Sequence, residues 1–194
     1  MELFKSIRQK IGKIILSKKL SRIKRAVQYS HIGRVKKIGI VWDATRTAEF
    51  PALSRFYQKM HERKIDVKVL GFYPGKELPD QYTAIRYLNC INVKELDFFY
   101  HPTSPEIVTF INNKLDILID INFEKQVPLL YVSLLSNAGL KIGLFEAEEK
   151  KIPFDLMMDI KKPVDIENYL TQIIFYLEMI SSEKSKPIKD TINK

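Results

Sequence analysis

Four carboxylates sit where a chain of this pattern could do chemistry. Asp43, Asp120, Glu146 and Asp159 each close or follow an apolar run that reads as a β-strand. In an open parallel sheet, ligands bind beyond the carboxyl ends of the strands, so these groups would share one edge. Together they could hold a magnesium ion or exchange protons. The same residue types have a plainer use, because Asp and Asn at strand ends accept hydrogen bonds from loop amides and helix N-termini. That structural use is the stronger reading of the set. Within it, Asp43 with Thr45 and Asp120 with Asn122 are the candidate ligand-binding pairs. Residues 43–47 (DATRT) leave the strongest strand and enter a helix, where an anion could meet helix amides.

What the sequence lacks narrows the chemistry further. Its seven glycines include no G-x-G-x-x-G and no P-loop, so no backbone cradle for phosphate is expected. A G-x-S-x-G elbow, an H-E-x-x-H helix and a Cys/His metal cluster are equally missing. His31, His61 and His101 are dispersed and read as surface or boundary residues. Cys90, the one cysteine, reads as a small core residue, and a lone cysteine fits a reducing compartment. No catalytic residue, metal or cofactor is therefore expected, and the balance is against an enzyme. The cytoplasm is the default location, since no apolar run approaches the roughly 18 residues of a membrane span and no secretory signal is read at the start.

The elements that must position the strand-end groups follow from hydrophobic pattern. Residues 35–42 (VKKIGIVW) and 116–121 (DILIDI) are apolar and β-branched enough for buried parallel strands. Residues 67–73, 140–145 and 154–160 supply three more, for a count of about five. Between them, residues 50–64 carry Leu53, Phe56, Tyr57 and Met60 at helical spacing, with Pro51 in the first turn. Ser104 and Pro105 open a second helix as N-cap and first position. A third covers 127–137 with Gly139 as C-cap, and a fourth covers 166–180. Residues 74–100 carry no clear pattern beyond a short helical stretch at 82–88 and an apolar segment at 96–100. Strand–helix alternation predicts an α/β fold, a single Rossmann-like three-layer domain with a mostly parallel sheet. Its expected limits are 35–181, with a polar, disordered tail at 182–194.

The first 34 residues form a separate arm. Residues 1–37 carry twelve Lys or Arg against Glu2 alone, while the rest of the chain has twenty basic and twenty-two acidic side chains. The body is thus close to neutral, and the arm supplies the whole net charge of +9. On a helix, Leu3, Phe4, Ile7, Ile11, Ile14 and Ile15 form one apolar stripe. Leu16, Leu20, Ile23 and Val27 form a second on roughly the opposite side. Either the helix breaks near Ser17, or one stripe docks on the body and the other on a partner. The second stripe, nearer in sequence, is the one expected to dock.

Two resemblances accompany this pattern. The order IGIVWDAT (38–45), LDFF (96–99), DILIDIN (116–122), PLLYVSLLSNAGLKIG (128–143) and FDLMMDI (154–160) resembles an uncharacterised family of Bacteroidota proteins, a domain of unknown function. Residues 116–145 are also similar to the N-terminal Rossmann-like half of heptosyltransferase-type glycosyltransferases. Those enzymes bind a nucleotide sugar mainly through a second domain, for which this chain has no room, so the likeness implies shared architecture more than glycosyl transfer.

The sequence therefore suggests a non-catalytic protein that binds an anionic partner. The cations expected to make that contact are Lys5, Arg8, Lys10, Lys13, Lys18, Lys19, Arg22, Lys24 and Arg25, with RNA in a ribonucleoprotein as the first candidate. A peripheral protein of an anionic membrane surface is one alternative. A small-ligand or nucleotide-sugar enzyme using the strand-end groups is another. The oligomeric state is not legible.

Overall fold

The β-branched run after Lys36 becomes β1 (Lys37–Asp43), in which every residue from Ile38 to Asp43 is buried. Burial on both faces is what a near-continuous apolar sequence implies. In the computed structural model, which describes residues 2–20, 23, 25–145, 154–161 and 163–180, β1 lies at the centre of one sheet. It pairs with β2 (Asp66–Tyr73) on one side and β4 (Ile117–Ile121) on the other. β3 (Leu88–Asn92) extends the β2 side, and β5 (Leu140–Leu144) and β6 (Leu156–Met158) extend the β4 side. Every pairing is parallel, in the order β3-β2-β1-β4-β5-β6. The order reverses between β1 and β4, as in doubly wound Rossmann-like folds.

The sheet has six strands rather than the five expected. The additional one, β3, lies within 74–100. It is a short edge strand in which only Leu88 and Ile91 are buried, and its two asparagines give it no apolar run to recognise. The 82–88 stretch forms only the short α3 (Asp80–Thr83) before β3 begins.

Helices α2 (Phe50–Glu62) and α6 (Ile166–Met179) cover one face. There Ile38, Ile40 and Trp42 pack with Leu53, Phe56, Tyr169 and Ile173. On the other face, α4 (Pro105–Asn112) and α5 (Val127–Leu135) set Ile107, Phe110, Leu129 and Val132 against Val41 and Leu118. Gly39 permits this second layer: a Cβ there would lie 2.5 Å from Leu115 Cδ1 and 3.0 Å from Phe110 Cζ.

The arm is a single helix, α1 (Glu2–Leu20), with no break near Ser17. Leu16 is buried against Tyr131 and Leu135 of α5, with Leu20 and Ile23 packed alongside. The second stripe therefore docks as expected except at Val27, which is exposed. α1 adds a further layer outside α5.

Three local expectations are corrected. Gly139 is not a left-handed C-cap: α5 ends at Leu135 with an extended Ser136, and no described glycine has positive φ. Instead Gly139 accepts a hydrogen bond from the Gln28 amide at 2.9 Å, and a Cβ there would lie 3.1 Å from the Asp116 carbonyl oxygen. Ser104 occupies the N-cap position of α4, but its hydroxyl makes no capping bond and is buried without a partner. His101 is buried rather than superficial.

Candidate functional site

At the carboxyl end of β1 the alternation of side chains turns Asp43 toward the α5 face, as it does Val41. Asp120 of β4 pairs with Val41 in register, and its side chain is held by Ser133 of α5. The two candidate carboxylates thus share a face on neighbouring strands, at the point where the strand order reverses. Each is nevertheless satisfied from within. Asp43 Oδ1 accepts hydrogen bonds from the Thr45 amide at 3.0 Å and the Thr45 hydroxyl at 2.8 Å. Its Oδ2 accepts from Gln126 Nε2 at 3.2 Å. Asp120 Oδ1 accepts from the Asn122 amide at 2.8 Å, and Oδ2 accepts from the Ser133 hydroxyl. Burial pushes the Asp120 carboxyl up to about 6, against the opposing pull of the Ser133 and Asn122 hydrogen bonds. Asn122 in turn closes the loop into α5, its Oδ1 accepting from the Gln126 amide at 2.8 Å and its Nδ2 donating to the Gln126 carbonyl at 3.1 Å.

The remaining polar groups at this edge are also paired. Trp42 Nε1 donates to Glu49 at 3.3 Å, and Arg46 forms ion pairs with Glu49 at 2.5 Å and Glu124 at 3.0 Å. Arg46 therefore bridges the loops after β1 and β4, across the crevice where a ligand would enter such a sheet. Burial raises the Glu49 carboxyl above its ordinary value despite Arg46. Asp159 is exposed at the far edge beyond β6, and Glu146 lies outside the described residues. Among the described residues no group of three or more His, Cys, Asp or Glu converges to hold a metal ion. A cleft of about 460 Å³ opens nearby between Phe72, Leu96, Tyr100 and Val127. It is lined by none of Asp43, Thr45, Asp120 or Asn122, and by no carboxylate.

The arm residues divide in a way that charge counting could not foresee. Arg8 Nε donates to the Phe98 carbonyl at 2.6 Å, and the guanidinium lies 4.1 Å from the Phe98 ring and 4.6 Å from the Tyr100 ring. Lys19 donates to the Tyr131 hydroxyl at 2.6 Å. Arg25 pairs with Asp155 at 2.5 Å and donates to the Ala138 carbonyl at 3.2 Å. Three cations expected at a partner thus hold the arm to the body. Between them, His101 Nε2 donates to the Gly12 carbonyl at 3.0 Å, with the Asp97 carboxylate 3.3 Å from Nδ1. A Cβ at Gly12 would lie 2.6 Å from the Phe99 carbonyl oxygen, so only glycine admits this approach. Gly12 in mid-helix, between Arg8 and Leu16 on one face, is the sequence signal that could have located the seam.

The opposite face of α1 carries Ile7, Ile11 and Ile14, exposed by 45%, 39% and 57%. Lys10 and Lys18 are exposed on the same helix, Lys18 one turn beyond Ile14. Lys5 and Lys13 belong to α1, but their side chains, like the whole of Arg22 and Lys24, lie outside the described residues.

A family model matches residues 8–180, most of the chain. The chain belongs to DUF6913, a family of unknown function. A comparison with curated proteins finds no match. The family span begins at Arg8, the first described cation by which α1 grips the 97–101 loop, and runs to Ile180 just past α6. Most of α1, the sheet and its covering helices therefore fall within the family's span. No helix among the described residues is long and apolar enough to cross a membrane.

Proposed function

We propose that this protein is a non-catalytic α/β binding protein that engages an anionic partner through α1. The observation that carries the reading is the division of the helix. One face is fixed to the body by Arg8, Gly12, Leu16 and Lys19. The other presents Lys10, Lys18 and three isoleucines outward. A loose solvated tail would need neither the Gly12 seam nor three cations turned inward. The strand-end groups favour the same reading, because Asp43, Asp120, Asn122 and Arg46 are each held by neighbouring groups of the chain, and the nearby cleft is lined by no carboxylate. RNA, the partner that charge alone suggests, and an anionic membrane surface both belong to this class of partner.

Heparin, a soluble polyanion, tests the reading. The full chain should bind it at low ionic strength and elute as salt rises. Replacing Lys10 and Lys18 by Glu should shift elution to lower salt, each lost contact reducing the slope of log K against log salt by about 1. Passage through the column without retention at low salt would refute the proposal.

A further inference from the structure

Taken alone, the charge of the arm does not distinguish between polyanions. The apolar residues beside it do. Ile7, Ile11 and Ile14 follow i, i+4, i+7 spacing, so they form one ridge about 10 Å long at 1.5 Å per residue. α1 is anchored along its length, from Arg8 at the 97–101 loop to Lys19 at Tyr131. It therefore lies flat against the body, with the ridge running along its outer side. Phe98, the most exposed aromatic side chain among the described residues at 64%, sits beneath the Arg8 guanidinium at the edge of the same helix.

We infer that this outward face, Ile7, Ile11 and Ile14 bordered by Lys10 and Lys18, docks on an anionic lipid bilayer. The inference rests on the reading of α1 as the anion-binding element and names its partner. Phosphates of a nucleic acid reward lysines but gain nothing from three isoleucines. A second copy of the chain would cover the isoleucines but would bring Lys10 and Lys18 toward their equivalents, like charge against like. An anionic bilayer satisfies both groups: the acyl boundary takes the ridge and the headgroups take the ammonium groups. The flat seating of α1 is the geometry of a helix lying in the interface plane, with the body standing behind it in water.

The test is co-sedimentation of the full chain with vesicles of phosphatidylcholine alone and with vesicles of equal parts phosphatidylcholine and phosphatidylglycerol, beside binding to single-stranded polyuridine RNA. Binding to the mixed vesicles, with little to the neutral ones, is expected. Ile11→Glu should lower that partition about tenfold or more, because it removes buried apolar area and adds a like charge at an anionic surface. Lys10→Glu, which removes no packed side chain, should lower it by a smaller factor of about fivefold. Val108→Glu, at an exposed position on α4, should leave binding unchanged. Native emission from the buried Trp42 reports that each variant is folded. Unchanged vesicle binding by Ile11→Glu would overturn the inference. So would a dimer that this substitution dissociates without any vesicle binding. RNA binding without vesicle binding would overturn the lipid assignment and leave the anionic-partner reading standing. Binding to neither, nor to heparin, would remove both.

Discussion

Replacing Asp120 by Asn should flatten the pH dependence of stability over a defined window. Asp120 is buried at the end of β4, and burial raises its carboxyl from the ordinary 3.8 to about 6. The folded state therefore keeps a proton that the unfolded chain has already released. Between about pH 4 and about pH 6 the unfolded state binds fewer protons, so stability falls as pH rises. A shift of about 2 units at ~1.36 kcal/mol each makes the loss about 3 kcal/mol across the window. The asparagine does not titrate, so the difference in unfolding free energy between wild type and Asp120→Asn should change by about that amount from pH 4 to pH 7. Glu49 is also raised by burial and contributes a slope of the same sign. It is present in both proteins and cancels in the comparison. Urea titrations at several pH values, followed by the emission of Trp42, give the two curves. If they run parallel, Asp120 does not hold its proton in the fold, and the burial argument is wrong.

Gly12→Ala sets helix propensity against docking. Alanine favours an isolated helix by about 1 kcal/mol, yet its Cβ would meet the Phe99 carbonyl oxygen 2.6 Å away. The expected result is faster hydrogen exchange in α1 and a loss of about 1–3 kcal/mol, and undiminished protection of α1 would contradict the seam. Arg46→Ala leaves Glu49 buried with Trp42 Nε1 as its remaining hydrogen-bond donor. It should cost about 1–3 kcal/mol at neutral pH, a deficit that denaturant titrations should show shrinking in acid as Glu49 takes up a proton. Burial pushes the Cys90 thiol up to about 12. Its alkylation by iodoacetamide at mildly alkaline pH should be slow when folded and fast in urea, and equal rates would refute the assigned environment.

The parts of this molecule written in long periodic segments were legible from sequence. The runs at 35–42 and 116–121 became β1 and β4 because a strand buried on both faces must be apolar throughout. β3 was not legible, since an edge strand needs few apolar residues and Asn89 and Asn92 interrupt the signal. The strand-end positions of Asp43 and Asp120 were readable. Their respective partners Gln126 and Ser133 were not, because tertiary pairing decides which residue 83 or 13 positions away supplies the hydrogen bond. The arm shows the same limit. Its charge was countable, but nothing in the spacing of Arg8, Lys19 and Arg25 indicated that their partners would be a loop carbonyl, a tyrosine hydroxyl and an aspartate of the same chain.

The seating of α1 also sets an order of events during synthesis. The helix leaves the ribosome well ahead of the residues that seat it, since Lys19 closes on Tyr131, 112 positions later. At about 5–20 residues per second that gap lasts roughly 5–25 s, whereas a helix forms in about a microsecond. For that interval both faces of α1 are without their folded-state seat, and Leu16 is as uncovered as Ile11. α1 therefore meets its surroundings before α5 is there to cover it. A surface that captures α1 in this interval would tether the protein before its sheet exists.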